Sequence, residues 1–61
     1  MKRLDIERLL IAAGFILKEG GNHTLVYTAD GKRISSVPRH KEIKEQLASK
    51  ILYKDCGLKK N

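Results

Sequence analysis

The chain has 61 residues, of which 41% are hydrophobic and 33% charged, and its net charge is +6. This length predicts a single small domain over residues 1–61, the one cysteine excludes an intrachain disulfide scaffold, and no Cys/His spacing typical of a structural zinc is present. The longest apolar run, from Leu9 to Ala13, is far shorter than the roughly 20 residues of a membrane span, so we expect no membrane contact and a cytoplasmic location.

The first predicted element is an amphipathic helix. Gly14 follows its last apolar residue and provides a stop signal. The apolar residues that recur at helical spacing are Ile6, Leu9, Leu10 and Ala13.

Three β-prone segments follow, over residues 15–19, 23–28 and 33–37. A Gly-Gly-Asn segment separates the first two, and an Asp-Gly pair, the signal of a tight hairpin, separates the last two. Pro38 ends the third segment because it has no N–H to donate to a ladder. The sequence therefore predicts three antiparallel strands.

A second helix closes the chain. Gly57 provides its stop, and Leu58 is placed to pack back on the last turn. The order α-β-β-β-α predicts an α+β fold in which a three-stranded antiparallel meander carries both helices on one face. The apolar stripe of this helix comprises Leu47, Ala48, Ile51 and Leu52.

The positive charge is confined to one half of the sequence. Residues 1–30 carry four basic and four acidic side chains, whereas residues 31–61 carry nine basic and three acidic ones. A basic segment favours a polyanionic partner, because binding of phosphates releases counterions. The alternative is an ordinary solvated surface, and we consider nucleic acid the better explanation.

Two histidines are the side chains that titrate near neutral pH. His23 follows the Gly-Gly-Asn segment, whose backbone N–H groups can face an anion. Its imidazole could exchange a proton with the 2′-hydroxyl or the 5′-oxygen of RNA, or it could simply pack at a strand edge. His40 lies between Arg39 and Lys41, and we expect it to contact phosphate or pack the loop. Cys56 is interpreted as a small buried apolar residue.

Six short segments, in this order and at this spacing, resemble the HicA family, the toxin component of HicA–HicB toxin–antitoxin modules. The resemblance extends from about Asp5 to Leu58, and Asn22 stands where the family has serine. The segments are Ala13-Gly14-Phe15, Gly21-Asn22-His23, Asp30-Gly31-Lys32-Arg33, Val37-Pro38-Arg39-His40, Glu42-Ile43-Lys44 followed by Ile51-Leu52, and Cys56-Gly57-Leu58.

The resemblance implies a double-stranded-RNA-binding-like fold and a ribonuclease that cleaves mRNA and is inhibited by direct binding of a HicB-like antitoxin. The family's essential histidine corresponds to His23. The change at Asn22 leaves that position intact but puts in doubt any role for a serine hydroxyl. No metal or other cofactor is expected, since the nucleophile is internal to RNA. The side chains expected to bind RNA are Lys32, Arg33, Arg39, His40 and Lys41.

Alternation along the second strand predicts where the antitoxin binds. His23, Leu25 and Tyr27 point to one face of the sheet and the intervening residues to the other. Because RNA must reach the histidine, we expect the helices to leave this face uncovered. The expected antitoxin contacts are Asn22, Leu25 and Tyr27.

Two other functional classes remain open. A non-catalytic double-stranded-RNA-binding module would retain RNA without shortening it, and a small interaction domain would dock an acidic protein without binding RNA. If RNA is the partner, charge reversal at Arg39 or Lys41 is expected to weaken binding more than reversal at Lys2 or Arg3, which belong to the neutral half.

Overall fold

The fold begins with α1, Arg3–Ala12, in a computed structural model that describes residues 1–59; residues 60 and 61 of the predicted domain lie outside the described residues. Gly14 has a φ of 96°, in the left-handed region that glycine adopts without a steric penalty. The predicted stop is therefore confirmed.

The buried face of α1 is narrower than the sequence predicts. Ile6 and Leu10, one turn apart, are fully buried, whereas Leu9 is 44% exposed and Ala13 is also exposed. A helix that lies over only three strands buries a narrow line of side chains, and the residue beside Leu10 is rotated roughly 100° away from it. The prediction was wrong for Leu9 and Ala13.

Three strands form one antiparallel sheet: β1, Ile16–Gly20; β2, His23–Tyr27; and β3, Arg33–Pro38. Their spatial order is β1-β2-β3, so the sheet is a meander with β2 in the centre. Each strand begins and ends within one residue of its predicted bounds. The predicted antiparallel sheet is confirmed.

The two faces of the sheet differ in burial, as the alternation along β2 predicts. Thr24 and Val26 are buried on the side that carries the helices. His23 is exposed on the other side, and Leu25 and Tyr27 are half-buried there. We call this second side, which carries His23, Leu25 and Tyr27, the open face.

The second helix changes geometry along its length. α2, Glu45–Ser49, continues directly into a π-helical stretch, Lys50–Asp55, which we call the π segment. In a π-helix the N–H of each residue donates to the carbonyl five residues earlier, and here the Cys56 N–H donates to the Ile51 carbonyl at 3.1 Å. The apolar periodicity of the sequence does not predict this widening.

The last turn closes as predicted. Gly57 has a φ of 69°, and the Leu58 N–H donates to the Leu52 carbonyl at 2.9 Å. Leu58 packs against the core. Leu47, predicted to belong to the buried stripe, is 37% exposed, so the prediction was wrong at that position.

One hydrophobic core lies between the sheet and the helices, which confirms the predicted α-β-β-β-α arrangement with both helices on one face. No helix among residues 1–59 is long and apolar enough to cross a membrane. The buried core residues are Ile6, Leu10, Val26, Val37, Ile43, Ala48, Ile51 and Leu52.

Candidate active site and nucleic-acid interface

His23 is flanked on the open face by two positions without bulky side chains. In the sheet register it lies opposite Gly20 of β1 and Pro38 of β3. Gly20 has no side chain and the Pro38 ring is compact. The exposed imidazole can therefore be approached along the sheet from both sides.

A glycine is required at position 20 because the Leu25 side chain lies against it. A Cβ atom at this position would lie 2.7 Å from Leu25 Cγ and 3.0 Å from the His23 carbonyl oxygen. Leu25 thus lies over Gly20, immediately beside His23. Only glycine allows this close approach without displacing Leu25.

Two cavities adjoin at His23, which together with Pro38 lines both of them. The first, of about 470 Å³, we call the histidine cavity; its walls are Gly21, Asn22, His23, Pro38, Arg39 and His40. The second, of about 790 Å³, lies between β3 and the π segment, and we call it the edge groove; its walls include Gly20, His23, Leu25, Arg33, Ser36 and Lys50. Both volumes are in the range of about 300 to 1,000 Å³ that is usual for ligand sites.

The structure brings the two histidines together, which the sequence alone does not establish. His40 belongs to the turn after β3 and lines the histidine cavity with His23. The Arg39 N–H donates to the Asn22 carbonyl at 3.3 Å, and this bond ties the turn after β3 to the turn between β1 and β2. The two turns that carry the cavity walls are therefore connected.

Arg39 is engaged by an acidic side chain. Its guanidinium donates to the Glu19 carboxylate, and this hydrogen bond and the opposite charges lower the pKa of Glu19 and raise that of Arg39. On the helix side of the sheet, the Thr24 hydroxyl donates to the Glu7 carboxylate at 3.3 Å. Of the predicted RNA-binding residues, Arg39 thus has its charge partly offset.

The remaining predicted RNA-binding residues are spread over the molecule. Arg33 lines the edge groove with His23. Lys32 lies in the turn after β2, and the length of that strand puts it roughly 17 Å from His23. Lys41 lines a further hollow beside Arg39. The structure therefore places His40 on one cavity wall with His23, whereas Arg33, which pairs with Tyr27 at the far end of β2, and Lys32 lie well away from the histidine along the sheet.

The division of charge by sequence halves does not persist in the fold. Lys2 and Arg3 line one hollow with Arg39 and Lys41. The Arg3 N–H donates to the Lys41 carbonyl at 3.1 Å, which holds the start of the chain against this turn. Lys2 and Arg3, chosen for comparison because they belong to the neutral half of the sequence, therefore lie beside Arg39 and Lys41 and are unsuitable as remote controls for them.

Sequence reasoning missed Lys50. This residue lines the edge groove from the π segment, and its Nζ lies 3.1 Å from Asp55 Oδ2. Asp55 also accepts a hydrogen bond from the Ser35 hydroxyl at 2.9 Å. No local motif distinguishes Lys50. The available signal was its position three residues after Leu47, on the part of the second helix that packs on β3.

The predicted antitoxin contacts lie on or beside the open face. Leu25 and Tyr27 are half-buried, and Asn22 is exposed in the adjoining turn. Lys18 Nζ lies 5.2 Å from the centre of the Tyr27 ring, within the range of a cation–π contact. Ile16, opposite Tyr27 in the register, is 44% exposed. The open face thus combines apolar and basic side chains next to His23.

Among residues 1–59, no group of three or more His, Cys, Asp and Glu side chains could hold a metal ion.

Cys56 is half-buried and packs against the core. Burial and the neighbouring Asp55 carboxylate raise the pKa of its thiol, which is therefore protonated at neutral pH and a poor nucleophile. Cys56 packs against the core as expected, but it is half-buried rather than buried.

The comparisons with known proteins identify the family. A family model described as the HicA toxin of bacterial toxin-antitoxin matches residues 4–58, a range that takes in the sheet, both histidines and the π segment. No curated protein and no solved structure gives a significant match. The chain therefore belongs to the HicA toxin family, and this membership implies a cognate antitoxin as its partner.

Proposed function

We propose that this protein is an endoribonuclease toxin that cleaves mRNA with His23 as a catalytic residue and is inhibited by a HicB-like antitoxin. The observation that carries the proposal is the position of His23, which is exposed and lines two adjoining cavities with basic side chains on both sides. Family membership supports the toxin role.

The chemistry uses a nucleophile that RNA supplies. The 2′-hydroxyl oxygen bonds to the adjacent phosphorus and loses its proton, while the bond between phosphorus and the 5′-oxygen breaks. The departing 5′-oxygen takes up a proton, so the products are a 2′,3′-cyclic phosphate and a 5′-hydroxyl. An imidazole is suited to accept the proton, because histidine titrates near the working pH.

The surrounding charges suit an RNA strand that crosses His23. Arg33 and Lys50 line the edge groove on one side, and Arg39 lines the histidine cavity on the other. Arg33 and Lys50 in the groove can attract the phosphates of a bound strand, whereas the Arg39 charge is already paired with Glu19. The size of the two cavities allows a nucleotide to lie on each side of the scissile bond.

The test is His23→Ala with a single-stranded RNA oligonucleotide, and product lengths are measured on a denaturing gel. Cleavage should be lost, whereas RNA binding and thermal unfolding should be unchanged, because the side chain is exposed. Gln46→Ala, at an exposed position of α2, serves as the control and should cleave at the wild-type rate.

Three outcomes would contradict the proposal. If the wild-type protein binds single- or double-stranded RNA without shortening it, the protein is a binding module. If it binds no RNA but forms a salt-sensitive complex with an acidic protein, it is an interaction domain. A folded His23→Ala variant that cleaves at the wild-type rate excludes His23 as the catalyst.

A further inference from the structure

We infer that His40 is a second catalytic residue of this site and acts as the general acid that protonates the leaving 5′-oxygen. The inference rests on the proposed ribonuclease function and adds a residue to it. The observation that carries it is the histidine cavity, which both histidines line, and both residues are exposed to solvent.

The reaction geometry calls for two proton-transfer groups. In an in-line displacement at phosphorus, the attacking and leaving oxygens lie on opposite sides of the phosphorus atom. A single imidazole cannot reach both oxygens in the same step. The sequence contains two histidines, and the fold places both on the walls of one cavity of about 470 Å³.

The backbone fixes the two histidines relative to one another. His23 lies opposite Pro38 in the register of β2 and β3, and His40 follows Pro38 by two residues. The hydrogen bond from the Arg39 N–H to the Asn22 carbonyl joins the turns on either side of the cavity. On the other side of His40, the Lys41 carbonyl accepts a hydrogen bond from the Arg3 N–H at 3.1 Å, so both neighbours of His40 are anchored.

In the fold, the two cations that flank His40 in the sequence have other neighbours. Arg39 and Lys41 stand on each side of His40 in the sequence, and both carry positive charge. In the fold, the Arg39 guanidinium is engaged by Glu19, and Lys41 lines a different hollow, together with Lys2. His40 is thus not enclosed by the two charges that flank it in the chain.

The roles of the two groups follow from the cavities. His23 also lines the edge groove, where the Ser36 hydroxyl can meet a ribose 2′-hydroxyl, so it is placed to take the proton of the attacking group. As the O2′–P bond forms, that proton passes to His23. As the P–O5′ bond breaks, His40 gives its proton to the departing oxygen. Exchange with water then restores both imidazoles.

A leaving group that needs no proton tests this assignment. The substrate is an RNA oligonucleotide in which sulfur replaces the 5′-bridging oxygen at one linkage; thiolate departs without protonation. His40→Ala should slow cleavage of the oxygen substrate by about 10²- to 10⁴-fold, the usual contribution of a general acid. On the sulfur substrate it should cleave within a few-fold of the wild-type rate, whereas His23→Ala should remain inactive.

The outcomes separate this inference from the proposed function. If His40→Ala cleaves the oxygen substrate at the wild-type rate, or is equally slow on both substrates while folded, His40 is not the general acid, and His23 keeps its proposed role. If His23→Ala cleaves the sulfur substrate, His23 would be the general acid and His40 the base, and this outcome would also overturn the assignment. If the wild-type protein cleaves neither substrate, the proposed function itself fails.

Discussion

Asp55 connects the π segment to the sheet through two hydrogen bonds to one carboxylate oxygen. The Ser35 hydroxyl of β3 donates to it at 2.9 Å, and Lys50 Nζ donates at 3.1 Å. Burial alone would raise the pKa of Asp55, but the hydrogen bonds from Lys50 and Ser35 outweigh it, and the pKa falls below its ordinary value of 3.8. The folded state therefore favours the ionised carboxylate.

Because the pKa of Asp55 is lower in the folded state, the free energy of unfolding decreases as the pH falls into the acid range. A carboxyl group whose pKa is lower in the folded than in the unfolded state stabilises the fold above its unfolded pKa, and the stabilisation is lost as the pH falls through the folded value. We expect Asp55→Asn to cost about 1 kcal/mol at neutral pH, and to cost nothing at a pH well below 3.8. Urea unfolding of both proteins at the two pH values measures the difference, and an equal cost at both would contradict the assignment.

His23 could be proposed as a candidate from the sequence, whereas the contributions of two residues that line the edge groove with it could not. A histidine in a short recognisable segment is visible to family resemblance. Gly20 and Lys50 become significant only through the sheet register and the π segment: the register puts Leu25 over Gly20, and the π segment brings Lys50 to the edge groove. Neither relation is encoded in a local motif.

At the scale of the elements, their order and type were predictable because their signals are local. Alternation, the Asp-Gly turn and the two glycine stops each depend on a few consecutive residues. Which apolar residues of α1 are buried depends instead on the width of the sheet beneath it, and Leu9 was assigned wrongly for that reason. The π segment, which packs on β3, likewise has no local sequence signal for its wider turns.

The π segment also offers a matched pair of lysines. Lys50 lines the edge groove, whereas Lys54 is exposed outside its walls. If RNA occupies this groove, Lys50→Ala should lower the slope of log K against log salt by about 0.7, the value for one phosphate contact on a single strand. Lys54→Ala should leave the slope unchanged.

Fluorescence anisotropy of a labelled single-stranded RNA over a range of salt concentrations provides this measurement. Lys50→Ala leaves Asp55 hydrogen-bonded to Ser35, so the fold should persist, and thermal unfolding checks this. Equal slope changes in the two variants would mean that the lysines contribute only general surface charge and that RNA does not occupy the edge groove.

At the scale of the whole molecule, net charge was predictable but its location was not. The sequence gives an excess of +6 and assigns it to residues 31–61. The fold returns the start of the chain to the α2 side, where the Met1 ammonium donates to the Ile43 carbonyl at 2.8 Å. Lys2 and Arg3 thereby join the basic hollow of Lys41. Such long-range placement cannot be deduced from a count of charges.

We expect the antitoxin to bind the open face, beside the candidate catalytic residue. Leu25 and Tyr27 are half-buried there, and Ile16 adds apolar surface. Partly exposed apolar side chains next to a site are typical of a protein contact. An antitoxin that buries them would cover His23 on the same face and exclude RNA by occupying its space.

We therefore predict that Leu25→Lys and Tyr27→Ala each weaken the complex with the antitoxin by about 1–3 kcal/mol, the range of interface hot spots. Leu9→Lys is the matched control, since Leu9 is as exposed as Ile16, at 44%, but belongs to the helical layer on the other side of the sheet. Calorimetric titration gives the affinities, and addition of antitoxin to an RNA complex should release the RNA. If Leu9→Lys weakens the complex and Leu25→Lys does not, the antitoxin binds the helices, and it must inhibit the toxin without covering His23.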